Sequence, residues 1–186
     1  MVMSNNKILM IGPDKDLKGG IASVIKLYQE NELYQNKVVY LSSYKFENMF
    51  LQIPYFLVFL FKYIEALFPR NIAVVHLHMA SCGSFMRKFV LYVLAKAFSK
   101  KVVVHLHGAE FDIFHKKASG FVRKLISKMF KNCDSVIVLS YQWQNIVKSI
   151  APSSKTIVLY NPTMIYDFAE KKNNDKVEFL FIGRIG

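Results

Sequence analysis

The sequence predicts an α/β fold, a doubly wound parallel sheet of Rossmann-like type, and three observations carry that prediction. Short runs rich in Val, Ile and Leu recur along the chain: KILMI, KVVYL, IAVVHL, KVVVHL, DSVIVL and KTIVLY. Longer stretches with helical spacing of their apolar residues lie between them. Glycines, histidines and small polar residues gather just after the apolar runs. Buried strands that alternate with helices form βαβ units, and their parallel sheet is covered on both faces.

The elements follow in order. KILMI is a strand, and the loop GPDKDLKGG leads from it into a helix from about residue 20 to 33. KVVYL is the second strand. The apolar window NMFLQIPYFLVFLF after it lies between Glu47 and Lys62. That window is shorter than the roughly 18 apolar residues of a membrane span. It reads as a buried helix with Pro54 in its first turn and Pro69 as its stop, or as a helix lying in a membrane interface. IAVVHL precedes a helix over about 84–98, and KVVVHL precedes KKASGFVRKLISKMFK. In the latter, residues 116–131 predict one basic amphipathic helix, with Lys117, Lys124, Lys128 and Lys131 away from the apolar side. Its lysines suit either a solvated outer face or anionic headgroups. DSVIVL, a helix over 141–150, KTIVLY and the loop Asn161-Pro162-Thr163 complete a domain over residues 1–163.

Residues 164–176 have the polar composition of a linker, and residues 177–186, ending FIGRIG, read as the first strand of a second domain. A hydrophobic strand with nothing to pair with is an aggregation liability. The expectation is therefore that the chain is the amino-terminal part of a longer protein.

With 186 residues, 53% hydrophobic and 20% charged, the chain suits one packed core and is far from the disordered class. A formal net charge of +12 implies an anionic partner. No nucleic-acid-binding motif accompanies the charge, so no nucleic acid is expected. Cys82 and Cys133 have neither metal nor redox spacing. The amino terminus lacks a signal-peptide pattern, and a cytoplasmic location is expected.

Parallel sheets of this kind bind ligands outside the carboxyl ends of their strands, where the notable loops lie. Gly19 and Gly20, opening a helix, would let backbone N–H groups approach a phosphate, although the loop lacks the G-x-G-x-x-G spacing. Asp14 and Asp16 suit sugar hydroxyls or a solvated turn. Two runs end in His-x-His, at His76/His78 and His105/His107. Residues two apart share a strand face, so each pair presents two imidazoles together. A metal site would need further ligands, with Asp14, Glu110, Asp112 and His115 as candidates, yet no compact ligand spacing joins them. His76 and His105 suit packed positions as well as exposed ones. His107, followed by Gly108, is the member expected to face the crevice. Ser140 reads first as a helix N-cap.

Taken together, KILMIGPDKDLKGGIASVI, VVHLHMAS, VVVHLHGAEFDIF, CDSVIVLSYQWQNIV, KTIVLYNPT and FLFIGRIG resemble the amino-terminal domain of a family 4 glycosyltransferase. The resemblance implies the amino-terminal half of a two-domain GT-B architecture. It also implies retaining transfer from a nucleotide-sugar donor to a glycan or lipid-linked acceptor, with no cofactor and no required metal. It makes His107 catalytic, next to the donor sugar. Gly19, Gly20, Asp14, Gly108, Glu110, Ser140, Asn161 and Arg184 become the substrate-binding set, with Arg184 neutralising the leaving diphosphate. Asn161-Pro162 stands where many relatives have Asn-Gly. The implied setting is polysaccharide or glycolipid assembly, peripheral to the inner face of the membrane. The chain alone is expected to be inactive, and the alternative is a non-catalytic module that binds anionic lipid or glycan.

Overall fold

The computed structural model describes residues 6–31, 36–108 and 110–162. Among them, six strands form one sheet and six helices pack on it. In chain order these are β1 (Lys7–Pro13), α1 (Gly20–Glu30), β2 (Val38–Tyr44), α2 (Met49–Leu67), β3 (Ile72–Met79), α3 (Gly83–Ala97), β4 (Lys101–Leu106), α4 (Phe111–Lys117), α5 (Gly120–Asn132), β5 (Ser135–Val138), α6 (Tyr141–Ile150) and β6 (Thr156–Val158). The expected linker, the strand over 177–186 and Arg184 lie outside the described residues.

The strands run in the order β2-β1-β3-β4-β5-β6, and every pairing is parallel. The chain steps one way from β1 to β2, then crosses back over β1 to β3 and continues outward. That reversal leaves a crevice between the carboxyl ends of β1 and β3, the usual place for a ligand in an open α/β sheet.

The two faces are covered unequally. Leu9 and Ile11 of β1 join Val75, Leu77, Val102, Val104, Leu106, Val136 and Val138 in one apolar cluster with side chains from α2 through α6. Continuous Val, Ile and Leu is what strands buried on both sides require. On the opposite face, Gly12 sits under α1, where an added Cβ would collide with Ile25. Met10 of that face lies in register with His76, and His78 lies in register with His105. Neighbours in register share a face, so the histidine pairs project on the α1 side. Among the described residues, α1 is the helix of that face and the other five occupy the apolar one.

Two elements differ from the sequence reading. The basic segment is two helices, not one, because Ala118 is extended and the Ser119 side chain accepts a hydrogen bond from Val122 N to start α5. A local N-cap overrides a continuous apolar pattern here. Helix α2 begins earlier than expected: Asn48 accepts from Phe50 N at 2.9 Å, so Pro54 falls in the second turn rather than the first. Proline there leaves the Phe50 carbonyl without its helical donor. Phe50 is 87% exposed, so water reaches that turn.

Nor is α2 a buried helix. Gln52, Phe59, Tyr63 and Leu67 bind it to the domain, with Tyr63 Oη donating to Leu91 O at 2.9 Å. The buried Gln52 side chain also ties α2 to the end of β2, accepting from Lys45 N and Phe46 N and donating to Ser43 O. Its other side carries Met49, Phe50, Leu51, Ile53, Leu57, Val58 and Phe61, all exposed. By length and composition it is the one helix among the described residues that could cross a bilayer. Its packed inner side instead holds it along the surface of the domain.

Candidate functional site

The crevice at the strand-order reversal is a cavity of about 320 Å³, lined by Pro13 and Leu17–Ala22 from the first loop and helix, Tyr44 from β2, and His78, Ala80, Ser84, Arg87 and Lys88 from the β3–α3 segment. Gly19 and Gly20 therefore line the cavity. Both are exposed, and a Cβ at either would meet nothing within 4 Å, so the backbone is open to a ligand. The β3 end is held to its neighbour by His107 N, which donates to Met79 O at 2.9 Å.

His107 reaches this crevice through a second histidine. His78 Nδ1 and His107 Nε2 lie 2.7 Å apart, a hydrogen bond whose direction is set by the tautomers. Further along the same face, His76 stacks on His78 at 4.5 Å and His105 stacks on His107 at 4.2 Å between ring centres. Burial keeps all four neutral. It pushes His76 and His107 down to about 3 and His105 to about 4, with like-charge repulsion among the rings adding to the shift of His76 and His107. His78, the most enclosed, is lowered well below the ordinary imidazole value, first by burial and then by its histidine neighbours and Lys88.

His76, His78 and His105 bring ring nitrogens within 4.8 Å of one another, near enough for the metal question to be asked. His76 and His105 lie 10° from parallel with ring centres 5.5 Å apart, and Nε2 of His76, Nε2 of His78 and both ring nitrogens of His105 are buried without a hydrogen-bond partner. Lys88 also adds positive charge beside His78.

Gly108 closes the strand end beside His107. Its φ is +75°, and an added Cβ would stand 2.8 Å from Cε2 of Trp143, so the indole of α6 packs directly on the glycine. Ser140 caps that helix, its hydroxyl accepting from Trp143 N at 3.3 Å, as its N-cap reading predicts. Glu110 is exposed in the left-handed conformation at the start of α4, and Asn161 is exposed after β6. Neither Glu110, Ser140 nor Asn161 lines the crevice cavity.

Asp14 lies in an adjoining cavity of about 440 Å³, together with Lys15, Asp16, Tyr40 and, from α2, Tyr55, Val58, Phe59 and Lys62. Its carboxylate accepts from Asp16 N at 3.1 Å, and its own N donates to Tyr44 O at 2.7 Å. The predicted set is thus divided: Gly19 and Gly20 are in the crevice, His107 and Gly108 beside it, and Asp14 under the apolar helix.

Sequence reasoning missed Arg87, Lys88 and Trp143, and offered His78 only as one member of a His-x-His pair. Arg87 stacks on the Tyr44 ring at 4.7 Å, and Lys88 is wholly buried, its Nζ 2.6 Å from Ser43 Oγ. Both cations lie on a helix whose apolar pattern attracts attention first. The one available signal was the adjacent Arg-Lys pair in HMASCGSFMRK, soon after a strand end.

A model of the family described as Glycosyltransferase Family 4 matches residues 24–163, from the middle of α1 past the end of β6. No curated protein matches the chain.

Proposed function

The chain belongs to glycosyltransferase family 4, and on that premise we propose that it is the amino-terminal, acceptor-side domain of a retaining, nucleotide-sugar-dependent hexosyltransferase acting in polysaccharide or glycolipid assembly. One observation carries the reading: the Gly19–Gly20 backbone and His78, which is hydrogen-bonded to His107, line one crevice at the strand-order reversal. Such a transfer develops negative charge on the leaving diphosphate and positive charge on the sugar ring. Open N–H groups at a helix start favour the first. A neutral imidazole, which His107 is, can accept a hydrogen bond from a sugar hydroxyl or donate one without opposing the second.

The proposed chemistry needs no metal ion. Arg184 is assigned to the leaving diphosphate and Glu110, Ser140 and Asn161 to substrate hydroxyls. The domain alone is expected to bind without turnover.

The outer side of α2 supports a membrane-borne acceptor. Phe50 and Phe61 are 87% and 76% exposed, and Tyr55, Val58 and Phe59 of the same helix line the cavity that contains Asp14. A lipid-linked sugar held at this helix would place its hydroxyls near Asp14 with its tail in the bilayer. The basic α5 face adds attraction to anionic headgroups at the cytoplasmic leaflet. A non-catalytic module binding anionic lipid or glycan would use the same two surfaces.

The test is to incubate the full-length protein with a panel of labelled nucleotide sugars and a membrane lipid extract, then count label in the organic phase. Incorporation that is lost in His107→Ala supports the proposal. Lipid binding with no incorporation from any donor favours the binding module.

A further inference from the structure

The crevice has more positive charge than its glycine loop explains. Lys18, Arg87 and Lys88 line it, and among the described residues no acidic side chain does. Lys88 is 2% exposed, and its described hydrogen bond goes to a neutral hydroxyl, Ser43 Oγ, which itself donates to Gly12 O. The salt bridges among the described residues use neither Arg87 nor Lys88. Arg87 Nε and His78 Nε2 are buried without a hydrogen-bond partner. An ammonium taken out of water without a counter-charge is costly, and a buried donor left unpaired adds to that cost.

We propose that this cavity is a seat for a phosphoryl group, held by Lys88 and Arg87 from α3, with Lys18 at its rim and His78 Nε2 as a further donor. The inference rests on the family reading only for the question of whose phosphate it is. A phosphoryl group has three acceptor oxygens, enough to engage Lys88 Nζ, the free Arg87 N–H groups and one imidazole N–H. The protonation state of the lysine agrees with this geometry. Burial, with Arg87 adding repulsion, pushes Lys88 down to about 7, so a bound anion would restore its full charge. Two sources share this chemistry: the diphosphate of a nucleotide donor, and the phosphate of a phosphorylated acceptor.

The experiment is calorimetric titration of the full chain with three probes: inorganic pyrophosphate, a nucleoside diphosphate and dodecyl phosphate below its micellar concentration. Wild type is compared with Lys88→Met, Arg87→Gln and, as a surface control, Lys117→Gln. Losing a charged hydrogen-bond donor should weaken binding about ten-fold or more in the first two variants and leave the control unchanged. Lys88→Met places an apolar chain at a buried position, so folding is retained, and a circular dichroism melt verifies it. If the variants weaken the nucleoside diphosphate most, the phosphate is the donor's; if they weaken dodecyl phosphate most, it is the acceptor's. Absence of pyrophosphate binding by wild type, or equal binding by wild type and both α3 variants, overturns the proposal. These titrations involve no sugar transfer, so a failed transfer assay leaves their outcome standing, and successful transfer does not rescue a failed titration.

Discussion

Nδ1 of His78 and Nε2 of His107 stand 2.7 Å apart across the ends of β3 and β4, joining two His-x-His motifs that lie 29 residues apart in the chain. The register places His78 opposite His105, and His107, two residues further along, comes within reach of the His78 ring. One partner must donate and the other accept, so the pair holds a single shared proton between two neutral rings.

Neutrality of the cluster predicts acid sensitivity. The folded-state values of His76, His105 and His107 lie near 3 to 4, against 6.5 for the ordinary group. Between those limits the unfolded chain binds more protons than the folded one, so stability falls as pH drops from about 6.5 towards 4. Each histidine contributes up to about 1.4 kcal/mol per pH unit in that window. Urea midpoints measured from pH 7 to pH 4 should fall steeply, and less steeply in His105→Asn. An unchanged slope in that variant would remove His105 from the effect.

Lys88 predicts an alkaline counterpart. Its value is lowered from 10.5 to about 7, so between those pH values the unfolded state is protonated and the folded state is not. Stability from this group therefore rises with pH across that interval, by up to about 1.4 kcal/mol per unit. In Lys88→Met that part of the slope should disappear, with greater stability than wild type near pH 7.5. Arg87, Lys18 and His78 surround the lysine and remain in the variant, which isolates its contribution.

Gly108→Ala should be disproportionately harmful for one methyl group. The residue has φ +75°, and the new Cβ would press on Trp143. Strain of about 1–3 kcal/mol is expected at such a position. The melting temperature should fall and Trp143 fluorescence should shift, while Gly20→Ala, at a site with open space, leaves both near wild type.

Helix α2 predicts membrane binding separable from stability. Phe50→Ser and Phe61→Ser change exposed side chains, so the melting temperature should stay within a degree or two while flotation with vesicles rich in anionic lipid drops several-fold. Retained flotation in the double variant would transfer the role to the basic face of α5.

Much of this was legible from sequence. The strands could be read because β1, β3 and β4 are buried on both sides and so carry runs of Val, Ile, Leu, Met and Ala, broken only near their carboxyl ends by glycine or histidine. Gly19, Gly20 and His107 could be placed at the sheet's carboxyl edge, because topology puts every βα loop there. What could not be read was lateral arrangement. Whether two His-x-His pairs face each other depends on strand order and register, which no local pattern encodes. Lys88 was hidden for a related reason: a lysine on an amphipathic helix reads as solvent-facing until the loop and Tyr44 are seen to close over it. The split between α4 and α5 turned on one cap, Ser119, inside an otherwise continuous pattern.

The central claim, retaining metal-independent transfer at the His78–His107 crevice, is tested most directly by the anomeric configuration of the product. Proton NMR of the transferred sugar, made by the full-length protein with a chelator present, should show the same configuration as the nucleotide-bound donor, and no product with His107→Ala. Inverted configuration, transfer abolished by the chelator, or undiminished transfer in His107→Ala would contradict the account.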